Sequence, residues 1–281
     1  MKKVLTLVLT LVLTVSCAIC LAACGKKQTK LKVIDVPLTA ESYAFAVKKG
    51  NTELKNSVNE LLTELKGNGK LDEIINSYFN GNATFTYTNP TSKDGCLVVA
   101  TNAFFPPFEY LEGDKLTGVD MEIASLLAKK LNKTLYIDNM EFSSVLASVG
   151  QGLADIAMAG ITITDARKAL YDFSDEYYES AQVLVTTNNV KEFDGKSATE
   201  IEDILKTKDK NYTIGTQKGT TGYMYSNGDE DFGYDGFTNL TTTAYSNGTL
   251  ACMDLKNGKI NAVIIDKQPA LMITKNINGD K

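Results

Sequence analysis

Polar and apolar positions divide the chain into stretches of different period. After an unbroken apolar run near the amino terminus, "LKVIDV" at 31–36 alternates as a strand does and Pro37 closes it; "SYAFAV" follows as a second strand. Asn51 stands before Thr52 and Glu53 as a helix start, and Leu54, Val58, Leu61, Leu62 and Leu65 share one helical face. "GNG" at 67–69 stops that helix, and Leu71, Ile74, Ile75, Tyr78 and Phe79 form a second, shorter face. Residues 80–95, "NGNATFTYTNPTSKDG", are polar and turn-rich without helical period, which predicts a linker.

Strand and helix patterns then alternate. "CLVVAT" reads as a strand, "VDMEIASLLAKKLN" as a helix capped by Asp120, "TLYIDNM" as a strand, "SSVLASVGQG" as a short helix and "ADIAMAG" as a strand. "TDARKALYDF" starts a helix at Thr164, and "AQVLVTT" is extended. A second unit follows: "SATEIEDILKT" helix, "YTIGTQ" strand, a Gly-Thr-rich turn, "NGTLACMDLKNG" helix and "INAVII" strand. The pattern predicts an α/β protein of two lobes, each a mainly parallel sheet flanked by helices.

Composition narrows the chemistry. The chain has 281 residues, a formal net charge of −5 and no histidine, so nothing basic points to nucleic acid, and the usual general base and commonest metal ligand are missing. This argues against a hydrolase or zinc enzyme and leaves no metal or cofactor expected. The first residues combine a basic "MKK", an apolar core and "LAAC", which resembles a bacterial lipoprotein box. That resemblance implies a signal peptide at 1–23, acylation of Cys24, a tether at 24–30 and a lipid anchor on the extracytoplasmic face of the cell membrane. Cys96 and Cys252 lack ligand spacing and read as two separate thiols.

In open parallel sheets, ligands bind beyond the carboxyl ends of strands. Four such turns stand out: "NAFFPPFEY", with aromatics on a Pro106-Pro107 turn; "AGITITDAR"; "QKGTTG"; and Asp266 after "INAVII". Among 29 basic residues the single arginine is Arg167, inside the turn best shaped for an anion. A guanidinium grips a carboxylate with two parallel hydrogen bonds, as an ammonium cannot. Asp266 could hold an ammonium group; together the two describe an α-amino acid.

"VVATNAFFPPFEY", "LTGVDMEIASLLAKKL", the long stretch from "NMEFSSVLASVGQG" to "SDEYYES", "QKGTTG" and "GKINAVIID" resemble the extracytoplasmic solute-binding proteins of amino-acid ABC importers (family 3). The resemblance implies a type II periplasmic-binding-protein fold, two lobes joined by two hinge strands with the ligand enclosed between them. It also implies a non-enzymatic monomer that delivers its ligand to ABC permease subunits. On matching positions, Arg167, Thr162 and the backbone of Ala159 and Gly160 would hold the α-carboxylate, joined by Thr220 or Thr221. Asp266 would take the ammonium, Phe105 and Phe142 would flank the side chain, and Asn102 and Gln217 would meet its tip. An asparagine at 102, where related binders of basic amino acids place an acid, tilts the expected ligand toward a neutral polar one.

The order of the pieces departs from the family. "LKVIDVPLTAESYAFAVKKGN", expected after "INAVIID", stands at the front, so the chain resembles a circular permutant. The lobes are then assembled as follows: 31–36, second-lobe strand; 37–42, hinge; 43–79, first lobe; 80–95, linker; 96–180, first lobe; 181–186, hinge; 187–281, second lobe. Two alternatives share this fold. One is a cyclohexadienyl-type dehydratase, for which Glu109 is the nearby acid; the other is a ligand-sensing lipoprotein.

Overall fold

In the computed structural model, which describes residues 29–280, strands β1 (Leu31–Ile34), β2 (Glu41–Tyr43) and β3 (Ala46–Lys48) precede helices α1 (Thr52–Gly67) and α2 (Lys70–Phe79). Next come β4 (Leu97–Thr101), β5 (Phe104–Phe105), β6 (Glu109–Glu112), β7 (Lys115–Thr117), α3 (Val119–Lys130), β8 (Leu135–Asn139), α4 (Phe142–Gly150), β9 (Ile156–Ala157), α5 (Asp165–Leu170) and β10 (Tyr171–Phe173). The chain continues through β11 (Tyr178–Ser180), β12 (Gln182–Thr187), α6 (Ala198–Lys206), β13 (Thr213–Gln217), α7 (Thr221–Asn227) and β14 (Thr241–Tyr245). It closes with α8 (Gly248–Lys256), β15 (Ala262–Asp266) and α9 (Lys267–Asn278). The leader and Cys24 lie outside the described residues.

Short polar side chains start several helices. Asn51 accepts the Leu54 N–H at 3.3 Å, Thr164 accepts that of Arg167 at 3.2 Å, and Ser197 with Glu200 closes a capping box. Asp120 is not the expected cap: Gly118 precedes α3, and Asp120 lies in the first turn with its carboxylate turned inward.

Two five-stranded sheets define the lobes. The first has the order β10-β3-β9-β4-β8 and the second β1-β12-β15-β13-β14. In each, four of the five strands run the same way and one, β3 or β12, runs against them, so each sheet is mainly parallel with a single reversed strand. The reason is the pair of crossings between lobes. β2 and β11 pair antiparallel, Glu41 opposite Ser180 and Tyr43 opposite Tyr178, and the strands beside them, β3 and β12, enter their sheets against the parallel set. The crossing expected at 181–186 falls at 178–181, and Gln182–Thr187 is a strand inside the second sheet. "SYAFAV" is likewise two strands, because it leaves the crossing pair before joining the first sheet.

Both faces of each sheet are covered. Leu62, Ile74, Ile123 and Leu127 bring α1, α2 and α3 into the large core, while Val145 and Val149 of α4 pack against Ala46, Ala100 and Ala157 on the other face. In the second lobe Ile201 and Leu205 of α6 and Tyr225 of α7 pack on one side; Ala251, Cys252, Leu255, Ala270 and Ile273 of α8 and α9 pack on the other. Cys252 is buried and Cys96 half-buried, both unpaired, and burial pushes the Cys252 thiol up to about 12.

Residues 80–95 are not a loose tether. Tyr87 bridges to Leu116 of β7, and its hydroxyl donates to the Leu135 carbonyl at 2.6 Å. The Asn89 amide exchanges two bonds with Ile137, at 2.7 and 2.8 Å, which gives the free edge of β8 partners. At the other end of the fold, Asn278 receives the Leu31 N–H at 2.9 Å and donates to its carbonyl at 3.0 Å. The first strand and the last helix therefore end side by side.

Candidate functional site

Between the sheets lies a narrow cavity whose wall is formed by Phe105, Phe142, Gly160, Thr162, Arg167, Gln217, Thr220, Thr221 and Asp266. They come from strand ends and helix starts of both lobes, where the four turns picked out in the sequence converge.

Arg167 sits in the first turn of α5 and is 7% exposed. Its Nη1 donates to the Thr162 carbonyl at 2.8 Å and its Nη2 to the Gly219 carbonyl of the other lobe at 3.2 Å. The Phe232 ring covers it from 5.6 Å. Among the described residues no ion pair involves it. Burial lowers its pKa to about 10, opposed by attraction to Glu41 and Asp266. A buried cation held only by carbonyls is costly until an anion arrives, and its remaining N–H groups are free to bind one.

At the opposite end Asp266 closes β15 and stands at the start of α9, yet makes no capping bond. Its carboxylate accepts from the Tyr43 hydroxyl and, at 3.3 Å, from Ser180. Burial and then the charge of Glu41 raise its pKa to about 7. Burial, followed by Asp266 and Glu41, pushes the Tyr43 phenol well up, so it stays a donor. Sequence reasoning missed both Tyr43 and Glu41. The available signal was their i, i+2 spacing on a strand that crosses between lobes, which turns both toward the cleft floor.

Other expected residues take different places. Gly160 lines the cavity, but its N–H donates to Asp120 at 3.0 Å and is not offered to a ligand. Its φ is +53°, and a Cβ there would lie 2.8 Å from the Phe105 ring, so only glycine lets that ring form the wall. Ala159 is buried behind the wall. Asn102 also stands behind it: its amide donates to Met140 at 2.7 Å and its oxygen accepts from Gln217 at 2.9 Å, joining the lobes. That leaves the Gln217 Oε1 buried without a partner at the cavity wall. The "NAFFPPFEY" turn exposes only Phe104; Phe105 lines the cavity and Phe108 is core.

Thr162 and Thr221 line the cavity, but their hydroxyls donate to Glu41, so neither has a proton left for a carboxylate. Thr162 lies opposite Tyr43 in a pairing whose bonds are carried by the neighbours, Ala44 to Ile161 and Ile163 to Ser42. Its own N–H and C=O therefore point away from that strand, and Arg167 already uses the C=O. Glu109 is fully buried, outside the wall, with both oxygens unpartnered. Burial and the charge of Asp120 hold its pKa well up. It does not line the cavity, which weakens the dehydratase reading.

Residues 97–264, more than half of the chain, match the bacterial extracellular solute-binding proteins, family 3. The chain belongs to that family. It is 34% identical over 124 residues to the arginine-binding extracellular protein ArtP of Bacillus subtilis (strain 168), a match covering 44% of each chain. With the probable histidine-binding protein of Neisseria gonorrhoeae it shares 31% over 182 residues, 63% of this chain and 61% of the relative. In both cases it spans less than two thirds of the relative's length. Among solved structures, the arginine-bound form of truncated ArgBP from T. maritima aligns with a TM-score of 0.54 at 31% identity, over 66% of this chain and 80% of that one. In this family 3 protein every cavity residue except Asp266 falls inside the matched stretch, whereas Glu41 and Tyr43 come from the leading segment outside it.

Proposed function

We propose that this family 3 protein captures one α-amino acid between its lobes and delivers it to the permease subunits of an ABC importer. The observation that carries the reading is Arg167, a buried guanidinium with carbonyl partners only, sharing a small cavity with the carboxylate of Asp266. The ligand's carboxylate meets Arg167 and the N–H groups of Thr162 and the α7 start; its ammonium meets Asp266. The cleft region carries two carboxylates, Glu41 and Asp266, against one guanidinium, and Gln217 adds an unpartnered acceptor. With Asn102 turned away, this balance favours an amino acid bearing an additional positive charge over a neutral polar one. The arginine- and histidine-binding names of the relatives support the same choice.

The protein acts as a monomer anchored through acylated Cys24 on the extracytoplasmic face. Its order is a permutation of the family's: 31–79 is the displaced final segment, and 80–95 joins the original ends. Support comes from the adjacency of Leu31 and Asn278 and from a family match that begins only at residue 97.

A thermal-shift screen of ligand-stripped protein against the twenty amino acids and L-cystine tests the capture reading, since a ligand at a hundred times its Kd adds about 2.7 kcal/mol. L-Arginine or L-histidine is expected to give the largest shift. No shift with any of them contradicts it.

A further inference from the structure

Glu41 is a buried carboxylate at the junction of the lobes for which ligand capture alone gives no task. Four side chains from separate segments converge on it. Its Oε1 accepts from the Thr39 hydroxyl at 2.8 Å and from the Gln182 amide at 3.1 Å. Its Oε2 accepts from Thr162 of the first lobe at 2.6 Å and from Thr221 of the second at 2.7 Å. The two threonine oxygens lie 3.5 Å apart, and Gln182 also donates to Thr221 at 3.2 Å.

Each hydroxyl has one proton, and donating it to Glu41 leaves the oxygen only lone pairs. Both threonines line the cavity, so both present acceptors to whatever enters. Thr39 belongs to the first crossing, and Gln182 opens β12 directly after the second, so both adjoin Glu41 at the hinge. Thr162 and Thr221 sit on different lobes and meet at one carboxylate oxygen only while those lobes are closed.

We propose that Glu41 is a positioning residue for ligand capture: a hinge-borne latch that fastens the second lobe to the first through Thr221 and Thr162 and fixes both hydroxyls as acceptors. The latch works without ligand. It lowers the ordering a ligand must supply on binding, at the cost of hydroxyl donors for a carboxylate. Only its effect on affinity rests on the capture reading.

The test is small-angle scattering of the full protein after ligand removal by unfolding and refolding. Wild type is expected to show the radius of gyration of the closed structure. Glu41→Ala and Thr221→Ala are expected to shift to a larger one, with Glu41→Gln, which keeps one acceptor oxygen, in between. Thr221→Ala leaves the crossings untouched, so the result does not depend on Glu41→Ala folding. An expanded ligand-free wild type, or variants as compact as wild type, overturns the latch. Titration with L-arginine and L-histidine supplies the second arm: Glu41→Ala should bind about tenfold or more weakly, the loss expected for charge-assisted hydrogen bonds. Wild-type affinity in that variant overturns the positioning role. A wild type that binds neither amino acid refutes the capture reading and leaves scattering to decide the latch.

Discussion

The two ends of the cleft are built on opposite principles. At one end Arg167 is packed under Phe232 and bonded to two carbonyls, a buried charge with no opposite charge at ion-pair range among the described residues. At the other, Asp266 shares its surroundings with a tyrosine, a serine and a second carboxylate, so its burial is already met by donors and opposed by like charge. The cationic end is incomplete and the anionic end is overfull. An incomplete end makes binding depend on one ligand group; an overfull end makes it depend on pH.

The largest effect is expected at the incomplete end. Arg167→Lys keeps a charge but loses the planar fork, and binding should weaken by about a hundredfold or more in calorimetry, with the melting temperature little changed. Unchanged affinity would break the comparison there. Asp266→Asn keeps the Tyr43 bond and removes the charge, and a loss of roughly tenfold to a hundredfold is expected in the same titration.

The pH dependence sharpens the contrast. The folded-state pKa of Asp266, like that of Asp120, is raised to about 7. The stability each contributes to the ligand-free fold is therefore present below the ordinary carboxylate range and lost as pH rises toward 7. A ligand ammonium prefers the ionised carboxylate, so affinity should fall by up to about tenfold per unit as pH drops below 7. Melting curves from pH 4 to 8 should show the ligand-free protein weakening while the ligand-induced shift grows. The smallest effect is expected at Gly219, which has φ +80° and where a Cβ would lie 3.3 Å from that of Ser143 in the other lobe. Gly219→Ala should cost about 1 kcal/mol of stability, read from denaturant unfolding, with only a few-fold loss of affinity.

The cavity was largely legible in the sequence because its parts are local signals: a cap at Thr164, a glycine-freed turn before Thr220, a strand ending in Asp266. Long-range pairing was not. No local pattern shows that Thr162 and Thr221 donate to Glu41, that Asn102 turns to Gln217, or that Gly160 gives its N–H to Asp120. The hairpin of β5 to β7, the short α7 and β14 were missed because each is too brief, or too rich in Gly and Thr, to show a period. Residues 80–95 read as linker by composition, yet Tyr87 and Asn89 found an open sheet edge that only the folded arrangement creates.

The central claim is that a zwitterion is held by Arg167 at one end and Asp266 at the other. Its most direct test is calorimetric titration at pH 8 of ligand-stripped wild type and Arg167→Lys with L-arginine and with its α-carboxamide. Wild type should prefer the free acid by about a hundredfold or more, and Arg167→Lys should lose most of that preference. Equal binding of acid and amide by wild type would contradict it.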